Sequence, residues 1–140
     1  MSTRKVITLF ILYSFLGWIL DSLVRSIVEG YPVEGSAFGI PLCPIYGFGG
    51  LALTLLAPRI KKLHIAWQFV TLAIGLAVFE FGGGAFSEMV FGKRLWDYAS
   101  MPMNLAGYTD FAHAIGWGVL GLIFIHYIYP FVQSKIKAYV

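Results

Sequence analysis

Three acidic residues, Asp21, Glu80 and Glu88, stand inside long apolar runs of this 140-residue chain. An ionisable side chain near the centre of an apolar helix in lipid costs about 2.5–3.5 kcal/mol on insertion scales, so each needs a reason to be there. Asp21 follows Trp18 by three residues and precedes Arg25 by four, so Ser14, Trp18, Asp21 and Arg25 share one helix face. On that face Asp21 can bind a cation or relay a proton; the competing reading is an i,i+4 ion pair with Arg25 that eases insertion. Glu80 has no basic residue within a helical turn or two. Its carboxylate must pair across helices, face water, or keep its proton. Glu88 lies eight residues on, about 80° further round, on roughly the same side. Gly82, Gly83 and Gly84 between them weaken the helix, and either unwind it or let another backbone approach. Two carboxylates flanking a loosened segment suit a substrate or ion site. Close helix packing, with Glu80 hydrogen-bonded to a neighbour, is the structural alternative.

Two further stretches concentrate polar or irregular residues. Gly39-Ile-Pro-Leu-Cys-Pro-Ile-Tyr-Gly-Phe-Gly-Gly50 contains two prolines without N–H groups and three glycines in its last four residues. A broken or re-entrant start to a helix is expected there, with regular helix only from about Leu51, buried in protein or lining a wet cavity. Within it Cys43 is a small packing residue or a reactive thiol, and Tyr46 a donor to a buried carboxylate or an interfacial aromatic. Lys93 to Gly107 gathers Trp96, Asp97, Tyr98, Ser100 and Asn104. The aromatics suit a membrane interface and the short polar residues suit turns and caps. His113 can join the carboxylates, whereas His126, beside Tyr127 and Tyr129, suits an aromatic belt. One cysteine and scattered histidines offer no metal-site spacing, and there is no Walker sequence, nucleophile elbow or dinucleotide fingerprint. No cofactor and no enzymatic activity are expected.

The elements that must carry these residues follow from composition. The chain is 59% hydrophobic, 17% aromatic and 12% charged. A soluble domain carries about 25% charged residues, so too little polar surface remains to cover a water-exposed globule. Four apolar segments stand out, at about Val6–Val28, Ser36–Pro58, Leu63–Gly92 and Phe111–Ser134. Each reaches the roughly 20 residues of a membrane helix, and open sheet edges do not survive in lipid. The expected fold is all-α: a single polytopic domain of four transmembrane helices over residues 1–140. Arg4 and Lys5 before the first run resemble a signal peptide, but Asp21 and Arg25 follow it without a cleavage site, so an uncleaved helix is expected.

Orientation follows from the basic residues. Arg4, Lys5, Arg59, Lys61, Lys62, Lys135 and Lys137 fall on one side, and Arg25, Lys93 and Arg94 on the other. The excess places both termini in the cytoplasm, as an even number of spans requires. A plasma (inner) membrane location is expected. The net charge of +3 comes without a Lys/Arg block, so no nucleic acid partner is expected.

Three stretches together resemble one family: Phe15-Leu-Gly-Trp-Ile-Leu-Asp-Ser22, Pro41-Leu-Cys-Pro-Ile-Tyr-Gly-Phe-Gly49 and Trp96-Asp-Tyr-Ala-Ser-Met-Pro-Met-Asn-Leu-Ala-Gly107. They are similar to the CmpB-like "putative ABC-transporter type IV" membrane proteins, related to the transmembrane protein 229 group. The resemblance carries over to Trp18, Cys43, Pro44, Tyr46, Gly47, Trp96, Asp97, Tyr98, Pro102, Asn104 and Gly107, with Glu80 and Glu88 at acidic positions of the third helix. This chain has Asp21 where the family's first motif has Glu. The resemblance implies a membrane subunit for transport or binding of a small solute or ion. By orientation the motifs converge on the outer half. There an outward-facing polar cavity lined by Asp21, Arg25, Glu80, Glu88, Asp97 and Asn104 is expected. Four helices enclose little room, and no nucleotide-binding segment is present. A homo-oligomer, or a complex with another membrane or ATP-binding subunit, is therefore expected in the bilayer. A non-transporting accessory protein, docking through the small-residue pairs Ala112/Gly116 and Ala114/Gly118, is the alternative reading. A membrane enzyme using Glu80 and Glu88 as acid and base comes last.

Overall fold

A computed structural model describes residues 1–36 and 38–136; Lys137, one of the basic residues counted above, lies outside them. The described residues form helices joined by irregular segments, with one two-residue antiparallel ladder among them, and the chain falls into two compact units, one through Ala52 and one from Leu53. Three helices are long and apolar enough to cross a membrane: α1 (Thr3–Glu29), α3 (Ile65–Phe91) and α4 (Phe111–Ile136). Helix α2 (Pro44–Ile60) has 17 residues and spans about 26 Å at 1.5 Å per residue.

In the first unit, α1 opens on Ser2, whose side chain accepts from the Lys5 N–H, and closes on Gly30 in the left-handed conformation (φ 76°). The chain then runs back along α1, fastened by serines. Ser26 Oγ accepts from the Val33 N–H at 2.9 Å, Ser22 Oγ from the Gly35 N–H at 2.9 Å, and the Ser14 carbonyl from the Cys43 N–H at 2.9 Å. These bonds satisfy an irregular backbone that lipid would leave unpaired.

The start of α2 corrects the sequence reading. The irregular stretch ends at Cys43, and α2 is regular from Pro44, not from Leu51. Pro44 occupies a first turn whose N–H groups have no intrahelical partner, where a missing N–H costs nothing. The glycines are used for closeness, not for bending. A Cβ at Gly47 would strike Ser14 and Phe10, one at Gly50 would strike Tyr13, and one at Gly17 would fall into the Tyr46 ring. Helices α1 and α2 therefore meet with backbones closer than alanine permits.

In the second unit, α3 is capped by the His64 side chain, accepting from the Ala66 N–H, and ends at Gly92 (φ 69°). It runs unbroken through Gly82–Gly84, so the expected unwinding does not occur; the ring of Tyr108 and the edge of Trp96 lie over Gly84 instead. After the loop come β1 (Asn104–Leu105) and β2 (Thr109–Asp110), and Asp110 caps α4 by accepting from the His113 N–H at 3.0 Å. Helix α4 packs on α3 with Gly118 beneath Phe69 and Gly121 against Leu72. Its middle, Phe124–Ile128, is a π turn.

Glycines in close contact and glycines facing open space should answer alanine differently. Gly17→Ala should lower stability by about 1–3 kcal/mol by overpacking against Tyr46. Gly75→Ala, with nothing within 4 Å of the new methyl, should raise it by roughly 0.5–1 kcal/mol through helix propensity. Melting of the two variants in detergent checks both signs.

Candidate functional site

The second unit gathers its polar residues around two carboxylates. Glu80 is 3% exposed, and each of its oxygens is engaged. Oε1 accepts from the Tyr98 hydroxyl at 3.2 Å, and Oε2 accepts from the Thr109 hydroxyl at 2.8 Å and the Trp117 indole N–H at 2.9 Å. Among the described residues no Lys or Arg pairs with it. Three neutral donors, from the loop, β2 and α4, replace the water an exposed carboxylate would have. Pairing across elements, one of the possibilities open for Glu80, is present.

Glu88 lies at the rim with a different set of partners. It accepts from the Tyr108 hydroxyl at 2.5 Å and forms an ion pair with Arg94 Nε at 3.1 Å. Arg94 also donates to the Ala106 carbonyl at 2.8 Å and to Asp97 at 3.2 Å, and its guanidinium lies 4.6 Å from the centre of the Tyr108 ring. Desolvation works against the charge on Arg94, but Glu88 and Asp97 outweigh it, and its pKa is raised. The Tyr108 pKa is raised chiefly because its hydroxyl donates to Glu88, then by desolvation and by the negative charge of Glu88. Asp97 accepts from the Ala99 N–H at 2.9 Å. Asn104 donates to the Ala99 and Met101 carbonyls and accepts from the Gly107 N–H, binding the loop to itself. Trp96 donates to the Tyr108 carbonyl at 3.0 Å.

Asp110 is buried and accepts from His113 twice, through the backbone N–H and the ring Nδ1. The His113 ring stacks on Tyr98 with centroids 4.0 Å apart. His113 thus touches the residue that holds Glu80, while its own hydrogen bond goes to Asp110.

In the first unit the expected i,i+4 pair is present: Arg25 Nε donates to Asp21 Oδ2 at 2.8 Å. Cys43 is a half-buried free thiol at the foot of α2, and Tyr46 packs on Gly17. Ser14 and Trp18, on the face of α1 shared with Asp21, behave differently. Ser14 Oγ and Trp18 Nε1 are buried without a hydrogen-bond partner among the described residues. A buried unpaired donor costs about 1–3 kcal/mol, so two in one helix face need an explanation.

The second unit therefore brings together Glu80, Glu88, Trp96, Asp97, Tyr98 and Asn104, and the first brings together Trp18, Asp21, Arg25, Cys43 and Tyr46. Sequence reasoning missed Thr109 and Trp117 as partners of Glu80, Tyr108 as partner of Glu88, and Asp110 as partner of His113. Only Asp110 carried a readable sign, an acidic residue immediately before an apolar helical run. Trp117 lies 37 residues from Glu80, and no periodicity links them.

A family model described as "Putative ABC-transporter type IV" matches residues 8–140. No curated protein and no solved structure matches this chain.

The rim gives two predictions. Gly107 has φ +75°, and a Cβ there would strike Arg94 and Asp97, so Gly107→Ala should cost about 1–3 kcal/mol, read as a lowered melting temperature. The raised Tyr108 pKa means that folding favours the protonated phenol. Its contribution is complete below the unfolded value near 10 and is lost as pH rises through the folded value. Tyr108→Phe should remove this alkaline loss, measured as melting temperature against pH.

Proposed function

Because the chain belongs to the family described as "Putative ABC-transporter type IV" and has three helices able to span a membrane, we propose that this integral membrane protein is a subunit that binds or moves a small polar solute or ion. It forms one membrane domain in the plasma (inner) membrane with α2 as a fourth span. Both termini are cytoplasmic, and the loop after α3 faces outward. The basic residues of the N-terminus, the α2–α3 turn and the C-terminal end support this orientation.

The observation that carries the reading is the unspent pair on α1, Ser14 Oγ and Trp18 Nε1, one turn or two from the Asp21–Arg25 pair. A donor stranded in this conformation is satisfied in another, when a solute oxygen or water reaches it. The stranding penalty biases the protein toward that second state. Glu80, by contrast, is filled by three donors, and it holds the outer end of the second unit in shape. The Asp21 carboxylate, 22% exposed at its side chain, is the acidic group that a solute meets. ATP drive is assigned to a partner subunit, since the sequence holds no phosphate-cradling motif. Copies of the chain, or another membrane subunit, complete the enclosure.

The accessory-protein alternative loses part of its support, because Gly118 is covered by Phe69 within the same unit. The acid–base enzyme reading is weakened too, since Glu80 and Glu88 hold separate sets of partners.

Purification in gentle detergent, with identification and stoichiometry of every co-purifying subunit, tests the assembly. A stoichiometric ATP-binding subunit is expected, and a bare homo-oligomer would contradict the ATP-driven form. Trp18→Phe tests the site. It should leave the melting temperature unchanged or raise it, by removing an unpaired donor, while failing to rescue the phenotype of a deletion strain. Lower stability with full rescue would show that the indole N–H serves the fold. Glu80→Gln is a folded control: its carbonyl can accept from Thr109 and Trp117, and its amide can donate to the Tyr98 oxygen.

A further inference from the structure

At the end of the second unit away from Glu80, Ile65, Leu122, Ile123, His126 and Tyr127 line an open groove of about 460 Å³, within the range of small-ligand sites. We propose that this groove holds one acyl chain of an anionic phospholipid, with the lipid phosphate seated on the basic turn between α2 and α3.

The lining is mostly apolar and exposed: Ile65, Ile123 and Tyr127 are 52%, 44% and 74% exposed. On a membrane helix such surface meets lipid tails. The placement of the turn at the groove follows from a chain of bonds. Gln68 Nε2 donates to the Leu63 carbonyl at 2.9 Å and the Lys61 carbonyl at 3.4 Å. With its amide so fixed, Oε1 accepts, and His126 Nε2 carries the proton of the 2.7 Å contact between them. His126, a wall of the groove, is thereby tied to the backbone of the turn that bears Lys61, Lys62 and His64.

Charge selects the headgroup. Arg59, Lys61, Lys62 and Lys135 lie at this end, and the sequence has no acidic residue between Leu53 and Phe79 or between Gly118 and Ile136. Basic residues beside a membrane helix attract anionic lipid, and among the described residues none of these four forms an ion pair with a carboxylate. The π turn lies at the same place. Phe124–Ile128 supplies His126 and Tyr127 to the groove, and π turns inside α-helices concentrate at functional positions.

The test uses the full-length protein purified in a non-ionic detergent. Native mass spectrometry should count phosphatidylglycerol bound in preference to phosphatidylcholine of the same chains, and phosphatidylglycerol alone should raise the melting temperature. Glycerophosphoglycerol, the headgroup without tails, and inorganic phosphate should give no shift; an equal shift from either would overturn the acyl-chain assignment. Lys61→Gln with Lys62→Gln should weaken phosphatidylglycerol binding by about fivefold for each lysine. Ile123→Trp should fill the groove and abolish preferential retention. Should that variant fail to fold, the double lysine variant decides alone. Undiminished retention in the double lysine variant, or equal retention of the two lipids by the native chain, would overturn the proposal.

Discussion

The second unit is organised by the need to keep one carboxylate out of hydrocarbon. Glu80 sits in an apolar helix, and lipid offers it nothing. Three donors are recruited from three different pieces of chain: Tyr98 from the loop, Thr109 from β2 and Trp117 from α4. Meeting that requirement fixes much else. Thr109 can reach Glu80 only if the chain after Gly107 turns back over α3, and the next residue, Asp110, then caps α4. Gly84, one turn beyond Glu80, has no side chain, and the space is taken by Tyr108 and Trp96. The loop is therefore a lid shaped by electrostatics, with Arg94 and Asn104 closing it from outside.

The two units use polar groups in opposite ways. Around Glu80 and Glu88 the acceptors are matched to donors, which makes a rigid assembly, since every rearrangement would strand a group in low dielectric. On α1 the serine fastenings at Ser22 and Ser26 are equally complete, yet Ser14 and Trp18 hold donors in reserve. Among the described residues, Ser14 Oγ and Trp18 Nε1 are the buried side-chain atoms left without a partner, and both lie on the face of the Asp21–Arg25 pair.

The first, third and fourth apolar runs and their approximate ends were legible in the sequence, because hydropathy over 20 residues is a strong local signal; the second, read as Ser36–Pro58, is helical only from Pro44. So was the Asp21–Arg25 pair, which depends only on helical spacing. The glycines were legible as a feature but not in their use. Composition alone does not separate a glycine that frees the backbone from one that admits a neighbour. At Gly47, Gly50 and Gly84 the neighbours are Ser14, Tyr13 and Tyr108, in elements whose approach no local pattern encodes. The partners of Glu80 were illegible for the same reason. They are 18, 29 and 37 residues away, and tertiary closure alone brings them to one point.

The π turn in α4 follows from a registry problem. Helix α4 must present Trp117 to Glu80 and His126 to Gln68, both on α3. In an unbroken α-helix the nine residue steps from Trp117 to His126 sweep about 900°, which leaves the two side chains about 180° apart. The wider π turn, which begins at Phe124, advances less per residue than an α-helix and so reduces that offset by His126. Ile125 is fully buried within the turn. The distortion thus serves two polar contacts at opposite ends of one helix pair. The same turn supplies His126 and Tyr127 to the groove beside Ile65.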